Sequence, residues 1–449
     1  MKTKKPGALC ARPVLTFNEI SEPIQRFRLR TGLPVIIHPF HSPAVGLSFM
    51  VKCGPVYESL ANNGISHFLE HMLYRGIPAH PSSEALGFAL DRVGSEANAA
   101  TFSDMTLVSH KVLPEALEDA LGILHSMVTE PLFKGIAAER QIISEECLED
   151  YDDEEQLIAI DQLSSQMMFD RHPYSYPILG LPEVIRKVNS NQLRKHLRTH
   201  YRPSSAVLCL AGEMDAAKTL RLVDKVFGTW QDPSGAPPLE FGATVPEFKG
   251  PRVLAVDSSR SQVQCRLSFR GLSFNDPDFP VFEALARIID SGSGSPLRKM
   301  LQDEWGFCYS FGAGADSYEK AGALHIDMTI QPDRLLEAVK RSLKVLAKMA
   351  AGTFTQASLD HMIAQYVKNR RFSANDLWDF SGRVAFHTLF PGSCPIEREL
   401  EATQNLTLPA MHAMTTRVFQ AQNLGITLVG SLPRTLVTEI RKAARAFPG

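Results

Sequence analysis

Residues 65–73 read Ile-Ser-His-Phe-Leu-Glu-His-Met-Leu. His67 and His71 lie four apart, so on a helix they stand one turn above each other and both imidazoles can reach one metal ion. Glu70 sits beside them, a carboxylate free to take a proton from a metal-activated water. Metal-assisted hydrolysis needs these parts: neutral nitrogen ligands and a separate base. With 14 histidines in 449 residues, the H-x-x-E-H order is expected by chance roughly 0.03 times in such a chain, so it is a fairly specific signal. The competing reading is a buried helix whose histidines bond to backbone carbonyls. Ile65, Phe68, Leu69, Met72 and Leu73 make this helix largely apolar, and an apolar helix does not bury two histidines and a glutamate without a compensating partner. A metal supplies one. A catalytic zinc takes three protein ligands and keeps a fourth position open, so a third ligand must come from elsewhere. Glu145 to Glu155 carries eight carboxylates in eleven residues, in a helical region starting near Ala137. Most of that run reads as a solvated helix face, and composition does not choose among its members.

Other candidate groups carry less. His196 and His200 are also four apart, but Arg194, Lys195 and Arg198 surround them and no carboxylate stands between, which reads as a solvated basic helix face. His80, His110, His125 and His172 have no ligand spacing. Ser291-Gly-Ser-Gly-Ser295 lacks the lysine of a phosphate loop and reads as a helix-to-helix loop. Seven scattered cysteines without a C-x-x-C pair indicate neither a disulfide framework nor a zinc ribbon. Cys147 is the only one that could close a structural zinc site beside Glu146.

The elements that must position these groups occur twice. Met105–Leu113 alternates and ends at Pro114, before Leu117, Leu121, Leu124 and Val128 at helical spacing; Leu324–Gln331 alternates and ends at Pro332, before Leu335, Val339, Leu343 and Leu346. Pro114 and Pro332 are 218 residues apart, as are Gly212 and Gly430, each of which closes a strand-like run. One offset at two anchors implies duplication. Proline-rich Gln231–Pro251 marks the join, so the expected organisation is an α+β domain over 1–230, a linker over 231–251 and a repeat domain over 252–449. Each is expected to be an α/β roll, a mostly antiparallel sheet with helices packed on one face. Phe27–His38 and Val45–Val51 are the opening strands. By the offset, Phe282–Ile289 is the counterpart of the His67 helix and holds no histidine pair, so only the first copy is equipped.

Composition narrows the partners. Lys and Arg number 47 against 49 Asp and Glu, with 44% hydrophobic residues, which excludes disordered, collagen-like and coiled-coil chains and gives no basic excess for nucleic acid. The charge-free stretch Thr31–Val51 contains Pro34, Pro39 and Pro43 and reads as two strands and a turn, not a membrane span. The basic Met1–Pro6 start has no apolar run behind it, so the expected location is cytoplasmic and no membrane partner is expected.

His67-Phe-Leu-Glu-His71, Glu139-Arg-Gln-Ile-Ile-Ser-Glu-Glu146, Asn98-Ala-Ala-Thr101 and His172-Pro-Tyr with Ile178-Leu-Gly180 together resemble the inverzincin zinc metallopeptidases, which include pitrilysin, insulin-degrading enzyme and the mitochondrial processing peptidase. The resemblance covers nearly the whole chain. It implies one Zn2+ per chain held by His67, His71 and Glu146, with Glu145 the fallback, and Glu139 supporting the site. It also implies Glu70 as general base in hydrolysis of unfolded or small peptides, and an extended substrate bound at Asn98 and Ala99 and along the strand that follows Asn98-Ala-Ala-Thr101.

The family's substrate clamp pairs an arginine with a tyrosine seven residues later. Tyr309 supplies the tyrosine, but Gln302 stands where the arginine belongs, and an amide lacks the charged fork. Arg298 is one helical turn too early. At half the length of the longer members, with an intact zinc set and a damaged clamp, the chain is expected to be the bacterial-type zinc subunit of a dimer. A heterodimer with another half-length subunit is favoured over a homodimer. The alternative reading is a non-catalytic scaffold or peptide-binding subunit of the same fold.

Overall fold

The computed structural model describes residues 24–448 except 235, 237, 238, 240, 291–294, 374, 375 and 394. Six strands form the first sheet: β1 (Gln25–Arg28), β2 (Pro34–Pro39), β3 (Val45–Val51), β4 (Glu96–Thr101), β5 (Thr106–Val112) and β6 (Ala206–Gly212), in the order β1-β2-β6-β3-β5-β4. The second contains β7 (Arg252–Asp257), β8 (Val263–Gly271), β9 (Cys308–Ser317), β10 (Gly322–Ile330) and β11 (Leu424–Gly430), in the order β7-β11-β8-β10-β9. With β1 set aside, the two orders coincide strand for strand. In each sheet one pair is parallel, β2 with β6 and β7 with β11, and the rest are antiparallel. The duplicated, mostly antiparallel α+β architecture expected from the sequence is therefore present. Phe27–His38 divides into β1 and β2 because Gly32, at φ +93°, turns the chain between them.

The first half adds helices α1 (Ile65–Leu73), α2 (Ser83–Arg92), α3 (Leu117–Thr129), α4 (Ile136–Leu148), α5 (Ile160–Phe169), α6 (Pro182–Ile185), α7 (Ser190–His200) and α8 (Ala216–Phe227). The second half continues with α9 (Phe279–Ile289), α10 (Pro296–Arg298), α11 (Pro332–Ala350), α12 (Gln356–Ser373) and α13 (Leu377–Leu389), followed by three more. One face of the first sheet, through Val35, Leu47, Phe49 and Leu208, packs on α1, α3, α7 and α8.

The expectation of helices on one face is corrected. The opposite face of the first sheet, through Ile36, Met50, Val207 and Cys209, packs on Phe380, Val384 and Ala385 of α13, from the second half. Reciprocally, α5 of the first half lies against β8 and β11, with Leu163 against Val429. Both helix–sheet contacts carry a buried serine pair: Ser48 with Ser381 at 2.7 Å and Ser164 with Ser268 at 2.8 Å. Glycines permit the approach, since a Cβ on Gly46 would meet Leu377 at 2.8 Å and one on Gly425 would meet Met167 at 2.4 Å. Covered on both faces, β3, β6 and β11 are buried along their whole length, which is why they read as continuous apolar runs.

Phe241 and Phe248 are buried with Met167, Met168, Phe169 and Tyr174. Among the described residues no helix is long and apolar enough to cross a membrane.

Candidate metal centre

Helices α1 and α4 lie side by side next to the edge strand β4. From α1, His67 and His71 bring their Nε2 atoms to 3.1 Å of each other, and from α4 the Glu146 Oε2 stands 3.8 Å and 3.7 Å from them. All three ligand atoms lie within 4.8 Å, the one such group among the described residues. Glu145 is exposed and accepts a hydrogen bond from Gln141, so the structure brings Glu146, not Glu145, to the histidines. The donor set fits zinc: two ligands of a tetrahedral ion, each about 2.0–2.1 Å away, stand about 3.3 Å apart, inside the 3.1–3.8 Å seen here.

Glu139, 3% exposed, accepts a hydrogen bond from His71 Nδ1 at 2.8 Å and is ion-paired to Arg75. The contact makes Nδ1 the protonated nitrogen and leaves Nε2 free to ligate. Burial disfavours the ionised Glu139, but the bonds from His71 and Arg75 outweigh it and hold the carboxyl below its ordinary value. Burial likewise opposes the charged His71, and its hydrogen bond to Glu139 and the surrounding carboxylates overcome it, raising its pKa. His67 has no carboxylate that close. Burial first, and His71 second, push it down to about 3, so it is a neutral donor.

Glu70 stands one residue before His71 and points toward β4, where Thr101 Oγ1 donates to its Oε2 at 2.5 Å. Burial raises its pKa, with the Thr101 bond and His71 pulling the other way. A base with a raised pKa holds a proton more readily than an ordinary carboxylate, which suits the taking and returning of one. Glu70, His71, Tyr74 and Glu139 line one side of an open cleft of about 410 Å³, and Ala97, Asn98 and Ala99 of β4 line the other. β4 pairs on one side only, with β5, so its second edge is unpaired within the sheet and suited to strand addition.

In the second half, α9 occupies the place of α1 with Phe282, Ala284, Leu285, Ile288 and Ile289 buried and no histidine. Tyr309 lies on β9, but its side chain is outside the described residues, as are residues 291–294 of the expected glycine–serine loop. Arg298 is ion-paired with Asp290 and donates to Gln302 Oε1 at 3.2 Å.

Two readings of charge are corrected. His196 and His200 do not sit on a solvated face: they are 6% and 4% exposed, turned inward with Leu193 and Leu197, while Arg194, Lys195 and Arg198 take the outer side. His196 Nε2 stands 2.9 Å from Ser66 Oγ, and His200 Nδ1 3.0 Å from the Lys52 carbonyl. The acidic run is not one helix face either. α4 ends at Leu148, and Asp152 Oδ1 accepts from the Glu154 and Gln156 amides in a turn, the competing bond that Asp side chains offer to a helix. Reasoning from the sequence missed Arg75 and the hydroxyl role of Thr101. Arg75 follows His71 by four residues, a helical-spacing signal that was available.

Known proteins share this arrangement of elements. Residues 35–180 match the family model described as Insulinase (Peptidase family M16), and residues 187–366 the one described as Peptidase M16 inactive domain. An uncharacterized zinc protease of Bacillus subtilis, YmxG, is 26% identical over 343 residues, 75% of this chain and 81% of that protein. The mitochondrial-processing peptidase subunit beta of Dictyostelium discoideum is 24% identical over 347 residues, 75% of this chain and 73% of that one. In fold, a crystal structure of a protease from Helicobacter pylori superposes with a TM-score of 0.84 at 18% identity, covering 91% of this chain and 99% of the other. Two consecutive family matches and a two-sheet fold with a His-His-Glu cluster on the first sheet's helices agree: the chain belongs to peptidase family M16, whose named relatives are zinc proteases.

Proposed function

We propose that the chain is a metalloendopeptidase for unfolded or small peptides, with His67, His71 and Glu146 holding one zinc ion. The observation that carries this reading is the convergence of two imidazole nitrogens and a carboxylate within 4.8 Å, beside Glu70 and an unpaired strand edge. Zinc bound there supplies Lewis acidity, acidifying water and polarising a peptide carbonyl. The chain's own groups do the rest. Residues 97–99 of β4 align an extended peptide by main-chain hydrogen bonds, which select for lack of structure more than for side chains. Glu70 takes the proton of the attacking water, whose oxygen bonds to the carbonyl carbon. As the C–N bond breaks, Glu70 returns that proton to the leaving amine. Thr101 orients Glu70, and Glu139 with Arg75 fixes the tautomer of His71.

A second half-length subunit belongs to this reading, a different chain before a second copy. Gln302 stands where the clamp arginine belongs, and Arg298 is engaged by Asp290, so a partner subunit is a natural source of that charge. The similarity to a protein named as a subunit supports it.

The test is turnover of unfolded fluorogenic peptides by the zinc-loaded chain, alone and with candidate half-length partners, using Glu70→Gln as blank. Loss of turnover with zinc retained is expected. Binding of peptide and zinc without hydrolysis under every pairing would favour a peptide-binding scaffold instead.

A further inference from the structure

The first turn of α1 is capped from outside the helix. Gly64, at the N-cap with φ +90°, offers no side chain, so the leading amides need another acceptor. Glu58 provides it. Its Oε2 accepts from the Gly64 amide at 2.7 Å and from Asn63 Nδ2 at 2.9 Å, and its Oε1 accepts from the Ser66 amide at 2.8 Å. The residue is 8% exposed, and a buried carboxylate is best satisfied by several donors at the positive end of a helix. The Ser66 hydroxyl also bonds to the Glu58 carboxylate and lies 2.9 Å from His196 Nε2, which is itself 3.4 Å from Cys53 Sγ. Main chain and side chain of the residue preceding His67 are therefore both fixed by buried groups.

The same network reaches the helix that carries Glu146. Asn63 Nδ2 also donates to the Pro177 carbonyl at 3.1 Å. Gly64 and Gly180 pack so closely that a Cβ on either would lie 2.5 Å from the Cα of the other. The Leu179 carbonyl accepts from Cys147 Sγ at 3.8 Å, and Cys147 is the neighbour of Glu146 on α4. Residues 177–180 are thus seated between the start of α1 and the end of α4.

We propose that Glu58 is a positioning residue of the metal centre, setting the rotation of the first turn of α1 and the seat of residues 177–180, and through them the separation of His67 from Glu146. This rests on the metal-centre reading above. Glu58 touches neither the ligand atoms nor the substrate cleft. Its loss misplaces one ligand against another, so it weakens metal binding more than it weakens the fold. A cap of merely structural value would lower the stability of metal-free and metal-loaded protein alike.

Glu58→Gln keeps the shape and turns one carboxylate oxygen into an amide that faces backbone donors. The expected result, by competition with a chromophoric chelator, is a zinc Kd raised about tenfold or more, with a zinc-induced rise in Tm smaller than the parent's on top of the fall that a lost buried acceptor causes in the zinc-free chain. His196→Gln, which perturbs the Ser66 hydroxyl and leaves Glu58 in place, is the second variant should Glu58→Gln fail to fold, and a smaller rise in Kd is expected from it. A zinc Kd within about twofold of the parent in a folded variant overturns the proposal, as does an equal fall in Tm with and without zinc. A parent that binds one zinc but hydrolyses no peptide, alone or with any half-length partner, overturns the catalytic reading alone, and a raised Kd in Glu58→Gln still supports the positioning role. A parent that takes up no zinc overturns both.

Discussion

Replacing Thr101 by valine removes one hydrogen atom's worth of control over Glu70. The Thr101 hydroxyl donates to Glu70 Oε2 at 2.5 Å, and a hydrogen bond to a charged group contributes about 1.5–3 kcal/mol when it is screened from water. Because it favours the charged carboxylate over the neutral acid, that bond lowers the Glu70 pKa. Burial works the other way and prevails, leaving the carboxyl above its ordinary value. Thr101→Val therefore pushes it up further. Glu70 must be ionised to accept a proton, so the acid limb of kcat/KM moves to higher pH by the same amount, while the zinc Kd stays where it was because Thr101 contacts no ligand. The assay is a pH–rate profile on an unfolded fluorogenic peptide at saturating zinc. Thr101→Ser keeps the donor and is expected to keep the parent profile. An acid limb within about 0.3 unit of the parent in Thr101→Val would refute the assignment of Glu70 as the titrating base. Equal shifts in the valine and serine variants would place the effect in strand geometry instead.

Glu139→Gln leaves Arg75 without its anion and lets His71 rotate, so a 10–100-fold weaker zinc affinity is expected, in the range of lost ligand-orienting partners; chelator competition reads it, and an unchanged affinity would remove Glu139 from the site. Asp104 is 6% exposed and burial raises its pKa to about 7. Because the folded value lies above the unfolded one, the stability tied to this group is full below about pH 4 and is lost as pH rises through about 7. Asp104→Asn is thus expected to stabilise the chain by about 2–4 kcal/mol at pH 8 and by almost nothing at pH 4; urea unfolding at both pH values decides, and a gain independent of pH would contradict it. Phe380 of α13 is 3% exposed and stacks on His38 of β2 at 4.7 Å between ring centroids. Phe380→Ala should cost about 3–5 kcal/mol, and a loss below about 1 kcal/mol would mean that α13 does not hold the first sheet.

Much of the fold was legible because strand alternation and helical spacing are local signals. The strand–proline–helix series at Pro114 and Pro332 became β5–α3 and β10–α11, and their common offset reported the duplication. What the sequence did not disclose is which sheet α13 covers. Leu377, Phe380, Ser381 and Val384 describe an amphipathic helix, but a stripe of apolar residues carries no label for its partner. The His67, Glu70, His71 spacing located the first part of the site, whereas the choice of Glu146 over Glu145 depends on the rotation of α4, which its mixed pattern leaves open. His196 and His200 were misread for a simpler reason. Leu193, His196, Leu197 and His200 follow the i, i+3, i+4, i+7 stripe of a buried face, and the flanking positive charge drew the reading to the outer side.

The comparison of α1 with α9 separates what the metal does from what the fold needs. α9 fills the same position by burying Phe282, Leu285, Ile288 and Ile289, so this helix–sheet packing is stable on apolar contact alone. α1 keeps Phe68, Leu69, Met72 and Leu73 buried against the sheet, which is enough to seat the helix, and presents His67 and His71 on the side facing α4. The metal ligands are thus an addition to a helix that already packs. Their geometry depends on contacts at its margins: Glu58 and Ser66 at the start, Arg75 and Glu139 at the end, Thr101 across the cleft. Those margins are where substitutions should change metal binding and pH dependence while leaving the two-sheet core intact.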